Sequence, residues 1–457
     1  MPRYRADIVI CGAGIAGLAA AYFLSVHHHL QDVVLVDPLP PLSLTSDKST
    51  EAYRNWWPGP DASMVAFMNR SIDLLETLAE HTHNRFLLNR RGYVYATARE
   101  DIADRLVAAA ERAAALGAGP VRVHTSPHSG YLPSPAEGDH QAPTGVDLIT
   151  HPQLLRTYFP YLNPAIRLLV HVRRAGWLSA QQLGMYLLER ARAHGVRLLS
   201  GEVIGVEQRA GRVSTVWVRG KSGEQSVETG VFIDAAGPFV GRVASLMGVH
   251  LPILHERHAK VAFNDYLHRV PRDAPLLVWA DPQRLPWTEE EREFIVEEGQ
   301  EDLLRLFPSG AHLRPEGAGA NPTLLMLWAY ETRPVEPAFP PSFDPLFPEI
   351  VLRGLSTMVP RLEDYWERAT RPRVDGGYYT KTPENLPLIG PLGVEGAYVS
   401  GAFSGFGIMA SLAAGELLAA HVTGTALPDY APAFSPRRYT DPHVYPLLPR
   451  WTESWQL

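Results

Sequence analysis

The chain of 457 residues contains one cysteine, Cys11. A single thiol excludes an internal disulfide and any cage of cysteine ligands around a metal. The run His27-His28-His29 does not replace such a cage, because successive residues at a helix end point in different directions. A solvated helix terminus is its expected role, and no metal site is expected. Long hydrophobic runs are also missing. No stretch reaches the ~18 apolar residues that a membrane-crossing helix needs, although hydrophobic residues make up 46% of the chain. That apolar material belongs in a core, not in a bilayer. Excess positive charge is absent too. The formal net charge is −7, which leaves no electrostatic case for nucleic acid or an anionic membrane as a partner. The start, Met1-Pro-Arg-Tyr-Arg5, runs straight into a buried-type strand and lacks the apolar middle region of a secretory leader. The expected location is cytoplasmic.

The most informative segment spans residues 7–37. An apolar strand, Ile8-Val-Ile10, ends at Cys11 and meets Gly12-Ala-Gly-Ile-Ala-Gly17. A helix of small residues follows, from Leu18 to about Ser25, and then a strand from Val33 to Val36 closed by Asp37. This β–turn–α–β context makes G-x-G-x-x-G specific for a dinucleotide. Gly12 permits the tight turn, Gly14 lets backbone approach a pyrophosphate, and Gly17 lets helix and strand pack closely. The N–H groups at the helix start, including those of Ile15 and Ala16, then face phosphate oxygens. Asp37 can accept both hydroxyls of an unphosphorylated ribose, as in FAD or NAD. Cys11, at the strand end, reads as a small buried apolar residue.

The rest of the chain alternates between two kinds of material. Residues 64–82 and 100–116 have helical periodicity around a strand at 92–95. Ser179 caps a helix running to Ala193, with Gly195 as its stop. Strands at 201–208, 212–219 and 225–229 are separated by Arg209-Ala-Gly211 and Lys221-Ser-Gly223, the pattern of an antiparallel meander. A buried strand then enters a second glycine turn, Val231-Phe-Ile-Asp-Ala-Ala-Gly237. Residues 251–375 are proline-rich, with strands near 258–266, 275–280, 311–315 and 323–330. A helical insert begins at Thr288, where Thr288 and Glu291 form the S/T-x-x-E capping pattern. A strand at 397–400 runs into Gly401-Ala-Phe-Ser-Gly-Phe-Gly407 and a helix from Ile408 to His421. That last strand–turn–helix makes a second dipolar site, suited to negative charge on the N1–C2=O edge of a reduced flavin.

These segments, in this order, resemble the superfamily of D-amino-acid oxidase, glycine oxidase and sarcosine oxidase. The likeness runs from Asp7 to Gly424. It rests on the Gly12–Gly17 fingerprint, Ser49-Thr-Glu-Ala-Tyr-Arg-Asn55, Gly176-Trp-Leu178, Phe232-Ile-Asp-Ala-Ala-Gly-Pro238, and Tyr378-Tyr-Thr-Lys-Thr-Pro-Glu-Asn-Leu-Pro-Leu-Ile-Gly390 followed by Gly401–Gly407. The resemblance implies an α/β fold: a Rossmann-like FAD-binding domain interleaved with a smaller α+β substrate domain on a mostly antiparallel sheet. The expected FAD domain gathers residues 1–86, 170–250 and 376–430. The substrate domain takes 87–169 and 251–375, and 431–457 form a tail. Beyond the first turn, the flavin is expected to meet Ser49, Thr50, Val203, Ala236, Gly237, Gly401, Gly405, Phe406, Gly407, Ile408 and Met409.

The implied activity is FAD-dependent oxidation of an amine, an amino acid or N-alkyl amino acid, by hydride transfer to the flavin. Oxygen or another acceptor, a carrier protein or quinone, would reoxidise it. Two departures qualify this. Relatives that fix FAD covalently use Cys or His, and neither stands in the segment around Ser49, so FAD is expected to be non-covalent. Sarcosine-oxidase-like enzymes also carry a Lys two residues past the last glycine of the signature, where this chain has Met409. A flavoprotein assembly factor or electron-transfer subunit therefore stays open. So does a flavin monooxygenase, although Gly401-Ala-Phe-Ser lacks that class's Gly-Asp pair. Oligomerisation with further copies of the chain is also left open.

Four residues are candidates for the chemistry. Arg54 lies where the family binds substrate carboxylate, and a guanidinium pairs bidentately with one; otherwise it is a surface arginine. Tyr379 and Lys381, two apart in a strand, share a face, so Lys381 could replace the missing lysine or be a solvated edge residue. Lys260 is a candidate for oxygen activation, against a reading in which its strand simply faces water. Trp56 and Trp57 either wall the pocket or pack in the core.

Overall fold

The computed structural model describes residues 3–135, 142–317, 321–368 and 371–450. Positions 1–2, 136–141, 318–320 and 369–370 within the expected domains, and 451–457 of the expected tail, lie outside the described residues.

Two sheets organise the chain. The first has six strands in the order Arg197–Ser200, Val33–Asp37, Ile8–Cys11, Val231–Asp234, Ala397–Gly401 and Leu388–Pro391. The first five are parallel, and Leu388–Pro391 closes one edge antiparallel. A parallel sheet is covered on both faces, which explains the continuous apolar runs read in the sequence. Alternation sorts them. Ile8, Ile10, Val33 and Leu35 enter a core shared with the helices Ile15–Tyr22, Ala180–Ala193 and Gly407–Thr423. Val9, Cys11, Val34 and Val36 enter another, built with the meander Glu202–Arg209, Arg212–Gly220 and Gly223–Glu228. That meander is antiparallel, and Arg3–Arg5 adds a parallel edge strand. Ser179 Oγ accepts the Gln182 N–H at 3.3 Å and caps its helix.

Small side chains let two helices cross closely. A Cβ on Gly415 would stand 2.8 Å from backbone atoms of Ala19, so the helices Ile15–Tyr22 and Gly407–Thr423 touch almost backbone to backbone. Glycine inside a helix costs about 0.5–1 kcal/mol relative to alanine. Here it permits an approach that no side chain would allow.

The second sheet has nine strands, in the order Arg373–Lys381, Leu254–Asn264, Thr323–Leu327, Ala311–Pro315, Leu276–Trp279, Tyr93–Thr97, Leu168–Val172, Val146–Ile149 and Val121–His124. It is mostly antiparallel; Leu276–Trp279 with Tyr93–Thr97 and Val121–His124 with Val146–Ile149 are its parallel pairs. Its own core includes the helix Phe347–Met358. The insert helix Glu289–Glu297 carries both halves of the capping box between Thr288 and Glu291. Two strands cross the expected domain boundaries: Leu168–Val172 spans 170, and Arg373–Lys381 spans 376. Between the sheets, Ala52–Arg54 pairs with Ala175–Trp177. No helix among the described residues is long and apolar enough to cross a membrane.

Candidate active site

The first glycine turn leaves no room for side chains at two positions and keeps a third open. Gly12 has φ +107°, and a Cβ there would meet the Ala235 carbonyl oxygen at 2.3 Å. A Cβ on Gly17 would meet the Gly12 oxygen at 1.9 Å. Gly14 differs, because only Ser46 Oγ, at 3.3 Å, stands near its missing Cβ. Ser46 Oγ also accepts the Ile15 N–H at 3.1 Å. Asp37 braces the turn as well: its two oxygens accept N–H groups from Ala13 at 2.7 Å and Leu39 at 2.8 Å. Burial pushes its carboxyl above the usual range despite those two bonds. Gly12, Gly14, Asp37, Leu39, Ser46 and Ala235 border a cleft of ≈ 490 Å³, lined also by Cys11, Val203, Ala236 and Gly237.

The cleft continues. Gly14, Thr45, Ser46, Ala235, Gly237 and Pro238 line both it and a second cavity of ≈ 110 Å³. Ile15, Ala16, Ser49, Ser400, Gly401, Gly405, Gly407 and Ile408 contribute to the second. After the strand Ala397–Gly401 the backbone takes positive φ at Ala402, Ser404 and Gly405, then enters the helix Gly407–Thr423, whose N-terminus has no side-chain cap. The helix start is therefore a concentration of N–H donors and positive dipole. Ser400 Oγ is buried with no hydrogen-bond partner among the described residues and lines this cavity. The Tyr379 ring lies across Gly405, where a Cβ would come within 2.2 Å of it. It stacks on His258 at 3.7 Å between centroids, and burial pushes its hydroxyl up to about 12.

Beyond Tyr379 lies a third, smaller cavity of ≈ 90 Å³, which shares His258, Ala259, Leu327, Tyr379, Ser404 and Gly405 with the second. Thr50, Arg54, Tyr93, His312, Phe406 and Met409 complete much of its wall. Arg54 is the one residue of permanent charge among the described lining residues. Its guanidinium carbon lies 4.4 Å over the Trp57 ring, and its Nε donates to the Trp56 carbonyl at 3.4 Å. His312 is tied through Nδ1 to the Gly310 carbonyl at 2.8 Å, while its Nε2 is buried with no partner among the described residues.

The remaining candidates stand elsewhere. Lys381 is buried and lines none of the three cavities; its ammonium lies 3.0 and 3.1 Å from the two oxygens of Glu256, which neutralise it. Lys260 is half-buried, and its ammonium is spent on backbone. Its Nζ donates to the backbone oxygens of Ser49, at 3.0 Å, and Asp47, at 3.3 Å, holding the loop that walls the second cavity. Burial lowers the pKa of its ammonium. Trp56 and Trp57 are core residues, with Trp57 edge-on to Phe406 at 5.0 Å and beneath Arg54. Gly17 sits behind its turn.

Sequence reasoning missed Ser46, Ser400, His258 and His312. His258 was within reach, because it lies two residues before Lys260 on one strand face. Nothing in the pattern around 311–315 singled out His312.

A family model, DAO, described as FAD dependent oxidoreductase, matches residues 7–421. No curated protein matches the chain. Among solved structures, L-proline dehydrogenase from P. horikoshii is similar with a TM-score of 0.73 and 18% identity, over 96% of this chain and 99% of that one. Glycine oxidase from Geobacillus kaustophilus gives 0.70 and 18%, over 95% and 98%. L-amino acid deaminase from Proteus vulgaris gives 0.69 and 15%, over 96% and 98%. At such identities these structures speak for the fold alone.

Proposed function

The chain belongs to the family of FAD dependent oxidoreductases, and from that premise we propose that it oxidises an amine that also carries a carboxylate, an amino acid or N-alkyl amino acid. The residues present fit the cofactor. The open side of Gly14 would take the pyrophosphate, although the N–H groups of Ala13 and Ile15 on either side of it are already given to Asp37 and Ser46, and Asp37 would take the ribose. Ser400 Oγ and the uncapped start of Gly407–Thr423 would meet the polar edge of the flavin. No cysteine or histidine stands in the segment around Ser49, which supports non-covalent binding, so acid precipitation should release FAD intact; flavin left in the pellet would refute this. We assign the six-stranded sheet to FAD and the nine-stranded sheet to substrate.

Bound there, FAD supplies the two-electron acceptor, and the protein's task is to orient the substrate and exclude water. The observation that carries the reading is Arg54. It presents a guanidinium, seated on Trp57, to a small cavity with otherwise uncharged or neutral walls that adjoins the flavin cleft. A substrate carboxylate pairs bidentately with such a group. The similar enzymes named above are called a proline dehydrogenase, a glycine oxidase and an amino acid deaminase, in keeping with an amino acid substrate.

Anaerobic mixing with a panel of amino and N-alkyl amino acids tests the proposal: a true substrate bleaches the flavin absorbance. Readmitting oxygen, or a quinone, then separates oxidase from dehydrogenase. Met409, an apolar side chain in the same cavity, supports one other reading, an electron-transfer subunit or assembly factor. Failure of every amine to bleach the flavin would favour it.

A further inference from the structure

We infer that His312 is the hydrogen-bond acceptor for the substrate's amine N–H, and so the residue that decides which way round the substrate lies against Arg54. The inference rests on the amine-oxidation reading above and deepens it.

The strand Ala311–Pro315 brings the imidazole to the wall of the ≈ 90 Å³ cavity. A carbonyl oxygen only accepts hydrogen bonds, so the 2.8 Å contact between Nδ1 and the Gly310 oxygen requires the proton on Nδ1. In the neutral ring Nε2 then carries a lone pair and no hydrogen. That atom is buried and has no partner among the described residues, in a side chain only 7% exposed. The ring is kept neutral. Burial, above all, and the nearby His258 and Arg54 bring its pKa down to about 4, although the Gly310 bond pulls the other way. At ordinary pH it can only accept at Nε2.

The cavity's other polar groups make this selective. Arg54 only donates. Tyr93 and Tyr379 carry hydroxyls, and His258 spends Nε2 on Glu256 at 3.2 Å. A carboxylate placed against Nε2 would set its charge against a lone pair, and an amine placed against Arg54 would meet a cation. Carboxylate on Arg54 with N–H on His312 is the arrangement that satisfies both groups. If His312 only filled space, a buried acceptor would be left without a donor, which native interiors avoid.

A consequence for substrate class follows. The reactive form of an amine is neutral, with its nitrogen lone pair available. Primary and secondary neutral amines still offer an N–H to His312, whereas an N,N-dialkyl amino acid in that form offers none.

The test compares kcat/KM for a secondary N-methyl amino acid with that for its N,N-dimethyl counterpart, using holoenzyme. Wild type should prefer the secondary amine by about tenfold to a hundredfold, the effect of leaving one buried polar group unpaired. In His312→Leu that ratio should fall towards about one, and in His312→Gln, which can present a carbonyl oxygen, most of it should return. Propionate binding, read by flavin difference absorbance, should be unchanged in all three proteins, because it needs only Arg54. If His312→Leu fails to load FAD, His312→Phe, which keeps the ring volume, takes its place. Equal losses on both amines, with the ratio intact, would overturn the inference and leave amine oxidation standing. A wild type that oxidises no amine would overturn both.

Discussion

Replacing Lys381 by Met separates two roles that its place in the strand left open. Its ammonium is held by both oxygens of Glu256, whose carboxylate also faces His258 Nε2 at 3.2 Å. Both partners are shielded, with side-chain exposures of 9% and 10%. Burial pushes the Glu256 carboxyl up, yet hydrogen bonds from His258 and Lys381 bring it below its ordinary value. Removing the ammonium leaves a buried carboxylate beside an imidazole that burial keeps largely neutral. Losing one partner of a buried ion pair costs about 3–5 kcal/mol. An unfolding entropy of about 2.1 cal/mol/K per residue gives about 1 kcal/mol/K for a chain of this length. The thermal midpoint should therefore fall by about 3–5 °C if the chain melts as one unit. The sign with pH is defined. In wild type the depressed carboxyl contributes stability above its unfolded pKa of ~4.3 and loses it as pH falls through the folded value. In Lys381→Met the carboxyl's pKa rises instead, so the penalty is full near pH ~8 and shrinks towards pH ~5 as the carboxyl takes up a proton. Fluorimetric melts of holoenzyme at both pH values measure it, and Glu256→Gln in the same chain should recover most of the loss. Because Lys381 lines none of the three cavities, kcat/KM should change by less than about tenfold, whereas Arg54→Ala, which strands a buried carboxylate, should lose about 2–5 kcal/mol. An unchanged midpoint with a collapse in kcat/KM as deep as that of Arg54→Ala would refute the reasoning and return Lys381 to the substrate.

Gly405→Ala should weaken FAD binding by about 1–3 kcal/mol, because its Cβ would lie 2.2 Å from the Tyr379 ring in a backbone held at φ +89°; an undiminished flavin-to-protein absorbance ratio after dialysis would count against it. Asp37→Ala should cost about 1.5–3 kcal/mol of FAD affinity per charge-assisted hydrogen bond lost, with the bracing of Ala13 removed as well. A titration giving the wild-type Kd would show that the ribose is held elsewhere. Asp234 is fully buried and burial pushes its carboxyl well above the usual range, against one hydrogen bond from Ala236. An acid whose folded pKa is raised loses stability as pH climbs from its unfolded value of ~3.9 towards the folded one, by up to about 1.4 kcal/mol per unit. Urea midpoints should therefore show Asp234→Asn gaining on wild type between pH ~4 and ~7, and parallel pH curves would contradict the assignment.

The parts of the fold that sequence made legible are those with a local cause. Gly12, Gly17 and the strands around them announce themselves because their backbone conformation and close contacts exclude other residues. The Ser179 cap and the Thr288–Glu291 box are satisfied within one turn of helix, so spacing alone found them. Several strands escaped, Val121–His124, Val146–Ile149 and Leu168–Val172 among them. They are short, lie among prolines and form by pairing across the nine-stranded sheet, a cause that no local window contains. The helix Phe347–Met358 escaped for the opposite reason, since Pro348 in its first turn reads as a loop signal although the first turn of a helix tolerates it. In the site, Arg54 and Met409 were found by position in recognisable segments. Ser400, His258 and His312 were not, because their significance is an unpaired atom, a ring stack or a shared wall, each made by strands distant in sequence.

Lys381 shows how far alternation reaches. Tyr379 and Lys381 do share a strand face, but register decides what each meets. Tyr379 stands opposite Glu256 and Lys381 opposite Leu254; two residues of strand span about 6.6 Å, enough to set Lys381 off the cavity wall, and its ammonium reaches diagonally back to Glu256. The cation absent at Met409 is therefore not restored from that strand, and among the described lining residues the cavity keeps one permanent positive charge, on Arg54. On the proposed reading that count suits the chemistry. An amino acid must lose its ammonium proton before it can be oxidised, and in that form it carries one negative charge. One guanidinium balances it, so the occupied cavity holds no net charge and little of the desolvation cost stays uncompensated. A second buried cation would leave a surplus charge in the low dielectric. The neutral His312, accepting an N–H where a lysine would offer one, completes the same balance with polarity in place of charge.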